Sequence, residues 1–95
     1  MKEEQAKLVR AYARLNLNKD EVTGDEESKK KVQAAWATEI KQAVIGGQDS
    51  EKKYINQARD ILLDETKRRE YNAVLEEFDI EDGLASPKQQ DGNNN

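Results

Sequence analysis

Basic side chains supply most of the groups in this sequence that could bind a charged ligand. They form two runs, Lys29–Lys31 and Lys67–Arg69, and such cations can pair with phosphate or carboxylate groups. Acids precede the first run at Asp25–Glu27, so we interpret it as a mixed-charge helix surface with pairs four residues apart. We interpret the second run mainly as a solvated face, with contact to a partner as the alternative.

Catalytic and metal chemistry have few candidates, because the 95-residue chain contains no histidine and no cysteine. Their absence removes the commonest general base, the Ser–His pair, and the imidazole and thiolate metal ligands. The carboxylates show no paired pattern, and Gly46-Gly47 is not followed by the Lys-Ser/Thr of a phosphate loop. We therefore predict a protein that is not an enzyme and that binds neither a metal nor a cofactor.

Composition favours one small helical domain with wide solvated faces. Hydrophobic residues make up 35% of the chain and charged residues 38%, with one proline and five glycines. The net charge of −4 comes mostly from residues 79–95, which leaves a near-neutral body with little attraction to nucleic acid. No apolar run is long enough to span a bilayer and no signal-peptide core is present, so we expect an intracellular, soluble protein whose compartment is left open.

Apolar residues at helical spacing predict the first helix, over residues 6–16. Leu8, Tyr12 and Leu15 lie four and three residues apart, which places them on one face. The polar segment that follows is predicted to be a connection to the second helix.

The second helix is predicted to begin near Thr23–Asp25 and to run to about residue 45. Thr23 and Glu26 have the spacing of a capping box, and the tandem Gly46-Gly47 stops helix propagation. Its inner stripe contains residues four apart: Val32, Trp36 and Ile40. Ala35, Ala43 and Val44 are predicted to fill the same side. We interpret Trp36 as an anchor between helices rather than as a residue that stacks on a ligand.

The same periodicity predicts two further helices that meet at Asp64. The third has an apolar face formed by Ile55, Ala58, Ile61 and Leu62. Asp64 is a typical N-cap residue, because its carboxylate can accept a backbone N–H two or three residues later. The fourth helix has apolar positions at Tyr71, Val74, Leu75 and Phe78.

The residues around Asp64 resemble the end of a J-domain, the module of DnaJ-type co-chaperones. The family pattern is roughly I-N-x-A-Y-x-V-L-x-D-P-x-K-R-x-x-Y-D, and the chain agrees with it at Ile55, Asn56, Ala58, Ile61, Leu62, Asp64, Lys67, Arg68 and Tyr71. It departs at Arg59, where the family has an aromatic residue, and at Glu65, where it often has proline. The resemblance implies an all-α, J-domain-like fold of four helices, in which the second and third form an antiparallel hairpin.

Earlier segments extend the resemblance. Tyr12–Leu17 is similar to the Y-x-x-L-G-[VL] of the first J-domain helix, with Asn16 in place of glycine. The second helix matches I-x-x-A-Y at Val32, Ala35 and Trp36. The resemblance implies a J-like domain over residues 8–78, preceded by an N-terminal extension, residues 1–7. Residues 79–95 are acidic and then rich in Gly, Asn and Gln, which predicts a disordered tail.

The His-Pro-Asp tripeptide of active J-domains is absent, since the chain has no histidine. In the family this tripeptide couples docking on a DnaK-type chaperone to stimulated ATP hydrolysis. The register of the second helix places it over Val44, Ile45 and Gly46. The basic positions that follow the aromatic residue of that helix are replaced by Ala37, Thr38 and Glu39. The resemblance therefore implies an intact helical frame without the chaperone-stimulating residues.

We predict a J-like protein–protein interaction module that acts as a structural or regulatory subunit, for example by restraining an active J-protein. The alternatives are a divergent co-chaperone that docks a DnaK-type chaperone and a small nucleic-acid-associated helical domain. The candidate partner-binding residues are Lys41, Val44, Ile45, Lys67, Arg68 and Arg69. The pair 44–45 is included because an exposed apolar patch often marks a binding site.

Overall fold

The computed structural model describes residues 1–83, and within that range the regular secondary structure is entirely helical. The elements are α1 (Glu3–Val9), α2 (Ala11–Arg14), a 3₁₀ turn (Lys19–Glu21), α3 (Glu26–Ile45), α4 (Asp49–Leu63) and α5 (Glu65–Glu77). The prediction of an all-α fold is confirmed, with α1 and α2 in the place of the predicted first helix. No helix in the described part of the chain has the length and apolar character needed to cross a membrane.

α3 and α4 form a tight hairpin around residues 46–48. The N–H of Gln48 donates to the Ala43 carbonyl at 2.8 Å, and the N–H of Gly47 donates to the Val44 carbonyl at 3.3 Å. Gly47 has φ +71°, so this is a Schellman motif, which requires a left-handed residue after the helix. The predicted end of the second helix at the glycine pair is confirmed.

The N-terminus of α3 lies where the sequence predicted it, but a different residue caps it. Asp25 is the N-cap, and its carboxylate accepts the backbone N–H of Ser28 at 2.8 Å. This bond is the largest cause of a pKa of the Asp25 carboxyl below its usual range. Thr23, which the sequence pattern favoured as the cap, precedes it.

Trp36 joins the two helices of the hairpin, as predicted. Its indole Nε1–H donates to the Asn56 side-chain oxygen at 2.8 Å. The Arg59 guanidinium lies 4.6 Å from the centroid of the indole ring, close enough for a cation–π contact. This stack is a second contact of Trp36 with α4, beside the hydrogen bond to Asn56.

The predicted break between α4 and α5 is confirmed at Asp64, whose carboxylate accepts the Lys67 N–H at 2.9 Å. The core sides of these helices also match the prediction, with buried Ile55, Ala58, Ile61 and Leu62 on α4 and buried Tyr71, Val74 and Leu75 on α5. Phe78 differs, because it follows the last residue of α5 and its side chain is 42% exposed. Helix periodicity no longer determines burial once the helix has ended.

The prediction of one continuous first helix over residues 6–16 is wrong. The helix begins at Glu3, and Arg10, with φ 45°, separates α1 from α2. The break changes which residues face inward, so Leu8 is 52% exposed, whereas the buried residues are Ala6, Val9, Ala11, Tyr12 and Leu15. Polar groups from distant parts of the chain bind the backbone at the break, which local spacing cannot reveal.

The packed domain extends beyond the predicted range 8–78 at both ends. On the N-terminal side, Ala6 is buried and the Gln5 side-chain amide donates to Gln57 at 3.1 Å. On the C-terminal side, the N–H of Ile80 donates to the Leu75 carbonyl at 2.9 Å. Residues 79–83 thus fold back on the helices, while the rest of the predicted tail, 84–95, lies outside the described residues.

We expect Gly47→Ala to lower the free energy of unfolding by about 1 kcal/mol, because a residue with a Cβ is strained at positive φ. No atom outside Gly47 and its two chain neighbours lies within 4 Å of the position that a Cβ at Gly47 would occupy, so the local backbone conformation sets this cost. Gly47→Asn is the matched control, because asparagine tolerates the left-handed region, and it should cost less. Denaturant unfolding measures both, and equal losses for the two variants would contradict the assignment.

Candidate interaction surface at the hairpin end

The end of the α3–α4 hairpin exposes two adjacent aliphatic side chains. Val44 is 54% exposed and Ile45 is 78% exposed, the largest value among the exposed large apolar residues of the described chain. Lys41, also exposed, precedes them by three and four residues and so lies on the same face of α3. Three of the predicted partner-binding residues therefore form one surface.

A shallow groove of about 220 Å³ lies near the same end of the hairpin, between α3, α4 and Arg14 of α2. Ala43 and Ile55 contribute apolar lining, Gln42 and Gln48 contribute side-chain amides, and the opposite side contains Arg14 with Glu51 and Glu39. Such a combination of a little apolar area with amide donors and acceptors suits contact with another polypeptide. We call the exposed face formed by Lys41, Val44 and Ile45 the apex surface, and the groove lies on a different side of α3.

Arg14 of α2 fixes one side of the groove. Its guanidinium donates to the carbonyls of Val9 at 2.9 Å and Leu8 at 2.8 Å, the last carbonyls of α1, and it also pairs with Glu51 of α4. It lies 5.1 Å from the centroid of the Tyr54 ring. Arg14 thereby ties α1, α2 and α4 together at the groove, a role that no local pattern in the sequence indicated.

A second depression, of about 230 Å³, lies on the other side of the Arg14–Glu51 pair and includes Arg10 and Ala13.

Charge is distributed unevenly around this end of the domain. Glu51 and Asp49 are already paired, with Arg14 and Lys52 respectively. Among the cations with no ion pair to a described residue are Lys41 on α3, Lys53 near the start of α4 and Arg10 beside the second depression. The accessible charge near the apex surface is therefore mainly positive, although the chain as a whole carries −4.

The other predicted partner-binding residues, 67–69, lie away from the apex surface. They follow the C-terminus of α4, whereas the apex adjoins its N-terminus, and a 15-residue helix is about 22 Å long. Lys67 and Arg69 are exposed, and the Arg69 guanidinium pairs with Glu65 at 2.8 Å. The structure therefore separates the six predicted residues into two groups.

Arg68 differs from its predicted place on an exposed basic face, since it is only 8% exposed. Its guanidinium pairs with Glu65 at 2.9 Å. It also fills the space beside Gly24, where a Cβ would come within 2.8 Å of the Arg68 Nη1 atom. A buried arginine packed in this way supports the fold and is not available to a partner.

The strongest pKa shifts belong to a buried tyrosine pair, Tyr12 and Tyr71, whose ring centroids are 5.8 Å apart. The Tyr12 hydroxyl donates to the Asn72 side-chain oxygen at 2.6 Å. Burial raises the pKa of Tyr12 to about 12, against the opposing effect of the Asn72 bond. Burial also raises the pKa of Tyr71 beyond its usual range, and the hydrogen bond to Asp82 and that residue's charge add to the shift.

The polar atoms of this pair are satisfied inside the fold. The Tyr71 hydroxyl accepts the N–H of Ala11 at 2.9 Å and donates to the Asp82 carboxylate. We therefore interpret the cluster as a contact that holds α2, α5 and the C-terminal residues together. Among residues 1–83, no group of three or more acidic side chains is arranged to hold a metal ion.

The chain matches no protein-family model, and no characterised protein or solved structure shows significant similarity to it. The resemblance to J-domains therefore depends on the chain's own motif residues around Asp64.

We expect the free energy of unfolding to fall as the pH rises above about 10, the pKa of tyrosine in an unfolded chain. Below that pH both states keep the tyrosine protons and the stability from this pair is fully present. Above it the unfolded state loses its tyrosine protons first, because burial in the folded state raises the pKa of Tyr12 to about 12 and also raises that of Tyr71. Each tyrosine then contributes a slope approaching about −1.4 kcal/mol per pH unit.

Denaturant unfolding at pH values between about 9 and about 12 measures this slope. Tyr71→Phe is the control, because it removes one of the two titrating groups and leaves the ionisation of the lysines unchanged. The variant should lose roughly half of the tyrosine contribution to the slope. An identical pH dependence in the variant and the wild type would contradict the assignment.

Proposed function

We propose that this chain is a J-like protein–protein interaction module that binds its partner through the apex surface and does not stimulate a chaperone ATPase. It acts as a structural or regulatory subunit, and restraint of an active J-protein is the activity that suits it best. The observation that carries the proposal is the exposure of Ile45, at 78%, beside Val44, at 54%. A small domain gains stability by burying such side chains, so the exposure of two of them side by side favours a role in binding.

The motif residues that resemble a J-domain have structural contacts consistent with a shared frame. Asn56 accepts the Trp36 indole N–H across the hairpin, Asp64 caps α5, and Tyr71 lies in the core. The position of the family's His-Pro-Asp tripeptide corresponds to residues 44–46, at the apex surface. Aliphatic side chains there would replace a polar and charged contact with an apolar one.

The area available at the apex is sufficient for a useful contribution to affinity. Full burial of an aliphatic side chain of this size contributes about 1.5–3 kcal/mol. Scaled by the exposed fractions of Val44 and Ile45, burial of both on a partner is worth roughly 2–4 kcal/mol. That corresponds to a factor of about 30 to about 1,000 in the dissociation constant.

The alternative functions have less support. The cations of the nucleic-acid alternative are Lys29–Lys31, Lys41, Lys52, Lys53 and Lys67–Arg69. Of these, Arg68 is buried, and Lys29, Lys52, Arg68 and Arg69 have acidic partners within the fold. A divergent co-chaperone would bind a DnaK-type chaperone and accelerate its ATP hydrolysis without the tripeptide. The ATPase assay below separates that function from the proposed one.

We expect this protein to leave the steady-state ATPase of a DnaK-type chaperone from the same source unchanged. Added together with an active J-protein, it should reduce the stimulation that the J-protein produces. The physical reason is competition or pairing through the apex surface without the tripeptide that triggers hydrolysis. Stimulation by this protein alone would overturn the proposal and identify a divergent co-chaperone, and no effect in either assay would also contradict it.

The double variant Val44→Asp/Ile45→Asp should bind the active J-protein at least about 30-fold more weakly than the wild type, because charged side chains cannot enter the apolar contact. Phe78→Asp is the control: it introduces one aspartate, against two in the double variant, at an exposed apolar position, 42% exposed, outside the apex surface. Calorimetry or a labelled-protein titration measures both affinities. Equal weakening by the two variants would show that the apex surface is not the binding site.

A further inference from the structure

A second exposed apolar side chain, Leu8 of α1, lies away from the apex surface. It is 52% exposed. The start of α1 lies beside the middle of α4, because the Gln5 side chain donates to Gln57 at 3.1 Å. The end of α1 lies beside the beginning of α4, because its last carbonyls bond Arg14, which pairs with Glu51. The two helices therefore run antiparallel, and Leu8 lies beside the first turns of α4.

Tyr54 of α4 is the aromatic residue next to this position. The Arg14 guanidinium, which donates to the Leu8 carbonyl at 2.8 Å, lies 5.1 Å from the centroid of the Tyr54 ring. The Lys53 ammonium lies 5.3 Å from the same centroid. Both cations are within reach of a cation–π contact, and the tyrosine is only half-buried. A tyrosine held in place by charged neighbours is a typical anchor of a protein interface.

Arg10, at the junction of α1 and α2, adds a further exposed cation. It lines the depression of about 230 Å³ together with Ala13, Arg14 and Glu51. Neither Arg10 nor Lys53 has an ion pair with any residue in the range 1–83. Two accessible positive charges therefore flank the apolar side chain on α1.

Acids near these cations are mostly neutralised within the fold, in the pairs Glu51–Arg14, Asp49–Lys52 and Glu3–Lys7. Glu4, which is exposed, lies at the opposite end of α1 from Arg10. The local charge is therefore positive, although the chain as a whole carries −4.

The backbone of Arg10 has a conformation that glycine would adopt at lower cost. Its φ is 45°, and the left-handed residue after a helix is most often glycine. The fold uses its backbone groups, since its N–H donates to the Ala6 carbonyl at 3.0 Å and its carbonyl accepts the Arg14 N–H at 2.8 Å. Glycine would supply both bonds, so the fold alone does not account for an arginine. Strained residues of this kind cluster at binding sites.

We propose that Leu8, Arg10, Lys53 and Tyr54, which we call the α1–α4 surface, bind an acidic peptide segment of a partner protein. An apolar side chain of the segment packs on Leu8 and Tyr54, and carboxylates on either side of it pair with Arg10 and Lys53. Exposed apolar area beside cations without internal partners is complementary to such a segment. The inference goes beyond the proposed function and does not depend on the apex surface.

The number of cations favours a peptide over a nucleic acid. Two accessible cations release at most about two counterions from a polyanion, which gives little affinity at physiological salt. The negative charge of the whole chain also repels an extended polyanion. A short peptide needs only local charge complementarity, and it gains affinity from the apolar contact that a phosphate backbone lacks.

Peptide binding tests the proposal on the intact protein. The probe is a short labelled peptide in which glutamates flank a single leucine, and its control has glutamine in place of every glutamate. The acidic peptide should shift the backbone amide resonances of residues 8–14 and 51–54. The glutamine peptide should bind at least about fivefold more weakly, because two exposed ion pairs are lost. Equal affinity for both peptides, or no shifts in these two ranges, would overturn the proposal.

Lys53→Gln should weaken binding of the acidic peptide about two- to fivefold, as expected for one exposed ion pair. Lys67→Gln is the matched control, because it removes the same charge from an exposed lysine beyond the other end of α4, and it should not change the affinity. Leu8→Asn should weaken binding about five- to tenfold through loss of the apolar contact. Equal losses for the two lysine variants would indicate attraction to overall charge and would overturn the site.

Arg10→Gly separates binding from folding. Glycine relieves the positive φ, so the denaturation midpoint should be unchanged or higher, while the affinity for the acidic peptide should fall about two- to fivefold. Weaker binding together with a lower midpoint would assign the arginine to the fold and overturn its place in the site. Displacement of the peptide by a single-stranded oligonucleotide of equal or higher affinity would overturn the choice of ligand. These assays contain no J-protein, so their outcome is distinguishable from that of the proposed function.

Discussion

The hydrogen bonds from α2 to Tyr71 and Asp82 hold the first and last described segments of the chain together. They join residues separated by 60, 69 and 70 positions. A chain of this size has a modest core, and each buried backbone donor needs an acceptor. In this domain the acceptors at the N-terminus of α2 come from tertiary structure, so packing of α1 and α2 is coupled to the position of the C-terminal residues.

The α3–α5 part of the fold could be predicted because its signals are local. Asp64 caps α5 from three residues away, the glycine at position 47 supplies the left-handed residue at the end of α3, and the apolar spacing of α4 matches its buried face. The α1–α2 break could not be predicted in this way. It is stabilised by groups such as Asp82 that lie far away in sequence, and the Arg10 backbone conformation has no residue-type signature.

The candidate site shows the same division between local and distant causes. The register of α3 marked Val44 and Ile45 as a candidate patch. The periodicity also placed Val44 on the inner side of α3, which is wrong, since it is 54% exposed whereas Ala43 is buried. The prediction that Arg68 is exposed was wrong, because a run of basic residues has the same sequence pattern whether its side chains are solvated or buried. What buries Arg68 is Gly24, a residue 44 positions earlier whose missing side chain leaves room for the guanidinium. Arg14 and Glu51, 37 positions apart, likewise meet only in the folded chain.

Trp36 has a consequence for observing the separation of α3 from α4. It is the only tryptophan in the chain, and its indole is held between Asn56 and Arg59 at the contact of α3 with α4. Its fluorescence therefore reports on the hairpin, with no contribution from any other indole. Movements of α2 leave both of its partners in place, whereas separation of α3 from α4 removes a hydrogen bond and an overlying cation at once. The protein thus contains an intrinsic optical probe that responds to opening of its central hairpin and not to rearrangement at its N-terminal helices.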